Sequence, residues 1–282
     1  MNKVQIVVDS TVDLNKEHYE EYGLHVVPLN VNFGEENYRD GVDITPDQVY
    51  ERVKKDGKLP STAAISPAIL EETIKSFVDK GMDVVFVGIG SKLSTTFQNL
   101  NIASADFKDH VFPIDSNSLS TGSGLLALKC AKLRDEGKSA KEIQEEVQPL
   151  ADKLSVKFVL DRLDYMRKGG RCSTFAAIFG TLLRIHPILK MSEGKLIMSK
   201  KVRGPIKLAY NDMVNELKGD MPNVDLDHVM ITHAGMNEED LKYIYDEVAK
   251  VVDKSRIMVT RAGCVISSHC GYGCVGILYI KK

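Results

Sequence analysis

Three short, almost wholly apolar runs, each closed by a polar or glycine-bearing turn, constrain this chain more than any other feature of its sequence. Val4 to Val8 runs into Asp9-Ser10-Thr11, Val84 to Ile89 into Gly90-Ser91-Lys92, and Val111 to Ile114 into Asp115-Ser116-Asn117. Runs without polar alternation are the mark of strands buried on both faces, which occur in parallel sheets covered by helices. The segments between them carry helical periodicity. In residues 67–80, Ile69, Leu70, Ile74 and Phe77 share one stripe, and residues 125–136 repeat the pattern. The first half therefore reads as a mostly parallel α/β sheet.

The second half has a different grammar. An amphipathic helix over 139–154 leads into a strand at Val156 to Leu160. Pro187 to Met191 and Lys195 to Val202 flank a short link holding Gly194, a β-hairpin signal. So short a link cannot join parallel strands, so this second sheet is mixed and partly antiparallel. Further strands are expected at 229–232, 256–260 and 276–280, with a helix over 237–252. The expected organisation is two α/β domains, 1–155 and 156–282, a division that 282 residues accommodate.

Composition excludes several classes of function. The 37 basic and 39 acidic residues leave a net charge of −2, which gives no field for nucleic acid. No apolar run reaches bilayer length, so stable membrane insertion is not expected. The opening MNKVQIVVDS reads as a first buried strand rather than a signal peptide. Five cysteines without a framework spacing (Cys130, Cys172, Cys264, Cys270 and Cys274) suggest reduced thiols and a cytoplasmic protein.

The motifs argue against a bound cofactor. Gly88-Ile89-Gly90 lacks the third glycine of a dinucleotide fingerprint, and no phosphate loop of the ATP-binding kind occurs. The late cysteines with His269 have poor spacing for zinc and read as small residues of a strand and turn. The turns after the apolar runs are crowded with hydroxyls: Ser10, Thr11, Ser91, Ser94, Thr95, Thr96, Ser116, Ser118 and Ser120, joined by Ser61 and Thr62. Helix capping accounts for part of this crowd. The surplus suggests a site that holds a polar or anionic head group through neutral donors. Among seven histidines, His269 stands out, with two hydroxyls before it and Gly271 and Gly273 after it. After the basic turn Lys168-Gly-Gly-Arg171, the apolar segment 174–185 mixes Ala176 and Gly180 with Phe175, Ile178 and Phe179. It is either plain core or the lining of a slot for an alkyl chain.

Taken together, these motifs resemble the DegV family of bacterial fatty-acid-binding proteins. The resemblance runs through Asp9-Ser10-Thr11-Val-Asp13-Leu14, Pro60-Ser-Thr62, Ser91-Lys-Leu-Ser94-Thr-Thr96, Asp115-Ser116, Met166-Arg-Lys-Gly-Gly-Arg171 and His269-Cys-Gly271-Tyr-Gly273. It implies that Thr62, Ser94 and His269 hold the carboxylate of a long-chain fatty acid such as palmitate. It also implies that the bound acid is presented to a separate fatty acid kinase subunit, whose acyl-phosphate product feeds phospholipid synthesis. Arg171, Lys201 and Arg203 would then face that partner or the new phosphate. On this reading the lipid site lies between or beneath the two domains, and the chain is a binding subunit rather than an enzyme. The alternative is an acyl or phosphoryl transferase or hydrolase using Ser94 and His269. The chain departs from the family pattern at Ala63-Ala64-Ile65 and at Thr95, which stands where a glycine is usual.

Overall fold

The computed structural model describes residues 3–171 and 185–282. The apolar runs become β1 (Lys3–Asp9), β6 (Met82–Gly88) and β7 (Val111–Asp115), joined at one edge by β2 (Leu24–Val27). The four are parallel in the order β2-β1-β6-β7. Helix α1 (Lys16–Glu21) links β1 to β2, and α3 (Pro67–Val78) precedes β6. α3 starts where Ser66 caps its first turn and Pro67 presets the helical φ. Leu70 and Ile74 on its stripe are buried as expected, whereas Ile69 is 44% exposed and lies outside the packed face.

Between β2 and β6 the chain makes a small sheet that the apolar pattern did not announce. β3 (Asn30–Phe33), β4 (Glu36–Arg39) and β5 (Ser61–Ala63) pair antiparallel in the order β4-β3-β5. These strands are three or four residues long, too short to display alternation. The intervening α2 (Pro46–Asp56) has a complete capping box, with Thr45 and Gln48 satisfying each other's backbone groups.

After β6 come α4 (Thr96–Ala103), then β7, α5 (Thr121–Asp135) and α6 (Ala140–Val147). α5 is buried from Thr121 to Leu128, because it packs on two sheets at once. Its Leu125, Leu126 and Leu128 meet Val85 and Val87 of β6 and also Val156, Leu278 and Ile280 of the second sheet. A helix buried on all sides over its first two turns needs such double cover.

The second sheet holds β8 (Leu154–Val159), β9 (Ile185–Ser192), β10 (Lys195–Arg203), β11 (Val229–His233), β12 (Ile257–Arg261) and β13 (Val275–Ile280). Its order is β10-β9-β8-β13-β11-β12, antiparallel except between β11 and β12. The mixed sheet and the hairpin at Gly194 match the expectation from sequence; Glu193 and Gly194 both take positive φ, as a two-residue hairpin turn requires. Helices α8 (Lys207–Asp220) and α9 (Glu238–Val248) cover one face, with α7 (Asp164–Gly169) after β8 and α10 (Cys264–Cys270) before β13.

α10 corrects the sequence reading, which placed Cys264 and Cys270 on a strand and turn. Its composition is poor for a helix, with Val265, Ile266, Ser267 and Ser268 in seven residues. External groups hold it instead. The Asp13 carboxylate accepts from Gly263 N at 2.8 Å, and Asp40 accepts from Cys264 N at 2.6 Å and from Val265 N at 3.4 Å. Three of the orphan N–H groups at the helix start are thereby satisfied from residues more than 220 positions away.

Candidate head-group site and cavity

A cavity of about 490 Å³ opens among β5, the loop after β6, α7, β10 and α10. Its apolar wall includes Leu29, Ile89, Leu119, Met166, Leu196 and Ile266. Several of these belong to one buried cluster that joins the end of β6 to β8, β9 and α10. The volume is within the usual range for sites that enclose a small molecule.

At one part of the wall stand Thr62, Ser94 and His269, all half-buried. Thr62 is carried by β5, in register with Val31 of β3. Ser94 lies in the loop after β6, and that loop is held at successive backbone groups. Ile89 N donates to Asp9 at 2.8 Å, Gly90 N to Ser118 O at 2.7 Å, and Ser91 N to Asp115 at 3.1 Å. Ser94 Oγ then accepts from Thr96 N at 3.2 Å, which starts α4. Asn99 of α4 donates to Ile65 O at 2.8 Å, tying the Ser94 loop to the Thr62 segment.

His269 is the sixth of the seven residues of α10 and crosses from the other half of the chain. Its Nε2 and Thr62 Oγ1 are 2.8 Å apart. Its Nδ1 is buried with no hydrogen-bonding partner among the described residues, and it faces Gly169 at the end of α7. A donor there would be unsatisfied, so the neutral ring carries its proton on Nε2 and donates to Thr62. The Thr62 hydroxyl hydrogen is then free to point into the cavity. Burial, and secondarily the positive charge of Arg171, lower the imidazole to about 4, so the ring is neutral at physiological pH.

Arg171, expected to face a partner, stands on the cavity wall and donates to Gly169 O at 2.8 Å. Lys201 and Arg203 are exposed on β10, away from the cavity lining. Phe175, Ala176, Ile178, Phe179 and Gly180, expected along an acyl chain, lie outside the described residues.

Most of the hydroxyl crowd serves another purpose than the one expected of it. Ser116 Oγ donates to Gly88 O at 2.7 Å, Ser120 Oγ to Asp13 at 2.5 Å, and Thr121, Thr232 and Thr260 form a buried chain of hydroxyls. These groups knit the strand ends together. Only Thr62, Ser91, Ser94 and Thr95 of the crowd reach the cavity. Among the described residues no cluster of His, Cys, Asp or Glu suits a metal ion, and Cys264, Cys270 and Cys274 are free thiols.

A hydrolytic dyad would require Ser94 bonded to His269 and His269 oriented by a carboxylate. Among the described residues Ser94 Oγ pairs instead with Thr96 Oγ1 at 3.0 Å, and Nδ1 of His269 meets no carboxylate. The arrangement suits holding an anion through hydroxyls beside an apolar space.

The DegV family profile, whose description is an uncharacterised protein of that family, matches residues 3–282. The chain belongs to the DegV family. Similar relatives include DegV domain-containing proteins of Clostridium perfringens, 30% identical, and Caldanaerobacter subterraneus, 32% identical, each aligned over the full length of both chains. Among solved structures, a fatty-acid-binding DegV family protein from Thermus thermophilus superposes with a TM-score of 0.92 at 27% identity, covering 100% of both chains. DegV of Bacillus subtilis, described as a fatty acid binding protein, gives 0.88 at 30% identity with the same coverage. A stearic-acid-binding protein from Eubacterium ventriosum gives 0.87 at 28% identity, covering 100% of this chain and 99% of that one. The mixed α/β architecture read from the sequence is that of these DegV structures. Among the described residues no helix is long and apolar enough to cross a membrane.

Proposed function

We propose that this DegV protein binds one long-chain fatty acid in the cavity, with its carboxylate on the Thr62 and Ser94 hydroxyls and His269 orienting Thr62. The observation that carries the reading is the 2.8 Å pairing of Thr62 with a neutral His269 at the wall of an apolar cavity that Ser94 also lines. Hydroxyl donors suit a carboxylate, which costs several kcal/mol to bury unpartnered. The apolar wall suits the chain. Burial stabilises each methylene by about 0.8 kcal/mol, so ten of them contribute roughly 8 kcal/mol before the cost of ordering the guest. The relatives described as binding fatty acids support the same reading.

On this reading residues 1–155 and 156–282 act as two domains with the guest between them, Thr62 and Ser94 coming from one and His269 from the other. The chain is a cytoplasmic binding subunit, and a separate fatty acid kinase phosphorylates the presented carboxylate. Exposed Arg171, Lys201 and Arg203 are offered to that partner or to the new phosphate. Mass spectrometry of an organic extract of the purified protein tests the lipid reading. One long-chain fatty acid per chain is expected. No extracted lipid, together with no uptake of added oleate or palmitate, overturns it. Adding a fatty acid kinase and ATP to the loaded protein tests the second part, with acyl phosphate as the expected product.

A further inference from the structure

Three buried carboxylates, Asp9, Asp13 and Asp40, lie near one another and outside the cavity lining. We propose that they act as a common positioning hub, holding the Ser94 loop and the His269 helix in register so that the head-group donors converge. The inference rests on the fatty-acid reading above and assigns the conspicuous Asp9-Ser10-Thr11-Val12-Asp13 segment a role in it.

Each carboxylate grips a different part of the site. Asp9 Oδ1 accepts from its own turn, Thr11 N at 2.9 Å and Thr11 Oγ1 at 2.6 Å, while Oδ2 accepts from Ile89 N at 2.8 Å. Ile89 begins the loop that ends in Ser94. Gly88 leaves the space for this approach, since a Cβ there would lie under 3 Å from the Asp9 carboxylate. Asp13 and Asp40 hold Gly263, Cys264 and Val265 at the start of α10, four to six residues before His269. Asp40 also accepts from Ser10 Oγ at 2.9 Å, and Ser10 Oγ in turn accepts from Leu29 N at 3.1 Å, on the cavity wall. Every grip is backbone to carboxylate or passes through one hydroxyl, so the Ser94 loop and α10 are both tied to the turn of residues 9–13, α10 directly through Asp13 and also through Asp40, which Ser10 joins to that turn.

The arrangement is unfavourable by itself. Burial raises Asp13 and Asp40 above the ordinary carboxylate range and Asp9 to about 6, and the neighbouring carboxylates add to the rise for Asp9 and Asp13. A merely structural contact could be made by neutral groups without that cost. What the carboxylates provide is reach: one side chain accepting from two or three donors on separate elements.

The test compares affinity for palmitate with affinity for hexadecanol, which has a similar chain and no charge. Wild-type protein is expected to prefer palmitate. Asp40→Ala is expected to lower palmitate affinity tenfold or more and hexadecanol affinity less than threefold, with Asp40→Asn, which keeps one acceptor oxygen of the two that Asp40 uses, recovering only part of the loss. Gly263→Ala is a gentler second variant: its Cβ would crowd the Asp40 carboxylate at 3.1 Å and Asp13 at 3.3 Å, and it should lower the preference in the same direction. Should Asp40→Ala not fold, the Gly263→Ala result decides. A folded variant set with an unchanged palmitate-to-hexadecanol ratio overturns the hub. A wild-type protein that binds neither molecule, or does not discriminate them, overturns the fatty-acid reading instead.

Discussion

Gly169→Ala is a one-methyl change aimed at the imidazole of His269. Gly169 ends α7 with ordinary negative φ, so alanine fits the backbone there and gains up to about 1 kcal/mol of helix propensity. The new Cβ would nevertheless fall under 3 Å from His269 Nδ1 and 3.3 Å from Cγ and Cε1. Ordinary carbon contacts lie near 3.5–4.0 Å, so the ring must retreat by about 1 Å. The 2.8 Å bond to Thr62 does not survive such a shift, and the threonine hydroxyl loses its orientation. A hydrogen bond to a charged group is worth about 1.5–3 kcal/mol, so fatty-acid affinity should fall roughly 10- to 150-fold. Displacement of a fluorescent fatty acid measures this, alongside thermal unfolding. Gly170→Ala is the control: its φ of 66° makes alanine strained, but no atom lies within 4 Å of the added Cβ. That variant should lose about 1 kcal/mol of stability and little affinity. Wild-type affinity in Gly169→Ala would refute the role given to the imidazole.

Further outcomes follow from the same geometry. Thr62→Ala with Ser94→Ala should lower fatty-acid retention by at least tenfold with the fold intact by circular dichroism. His269 should titrate near 4 in the ligand-free protein by ¹⁵N NMR, and binding a carboxylate should raise that midpoint. Because the folded value lies below the ordinary 6.5, this ring's contribution to stability is complete above pH 6.5 and is lost as pH falls through 4. The difference between the pH–stability profiles of wild type and His269→Gln isolates it, at about 3 kcal/mol. Met166→Ala removes a cavity-wall side chain that is 1% exposed. It should cost about 2–5 kcal/mol in the empty protein, by denaturant unfolding, and move preference toward bulkier acyl chains.

The parallel sheet was legible because β1 and β6 at its centre are buried on both faces and the edge strand β7 is partly so, and they therefore spell out apolar runs. The hairpin of β9 and β10 was legible because its turn needs positive φ and has Gly194 to supply it. The small sheet was hidden, because β3, β4 and β5 are too short for a period to show. α10 was hidden for a different reason: its stability comes from Asp13 and Asp40, and no local rule marks Cys264–Cys270 as helical. The same distance hid the site's geometry. Resemblance to the family pointed to Thr62, Ser94 and His269, but the bond between Thr62 and His269 joins residues 207 positions apart. The hydroxyl crowd misled in part, since groups that look free in sequence, such as Ser116 and Ser120, are bound to buried backbone and carboxylate.

On this reading the Thr62 and Ser94 hydroxyls hold the carboxylate, His269 orients Thr62, and the chain lies in the cavity beside them. A crystal structure of the protein loaded with palmitate tests it most directly. Carboxylate oxygens are expected within about 3.2 Å of the Thr62 and Ser94 hydroxyls, roughly the limit of a good hydrogen bond, and an alkyl chain against Leu29, Met166 and Ile266. Palmitate bound elsewhere, or reversed with its carboxylate away from these residues, would contradict it.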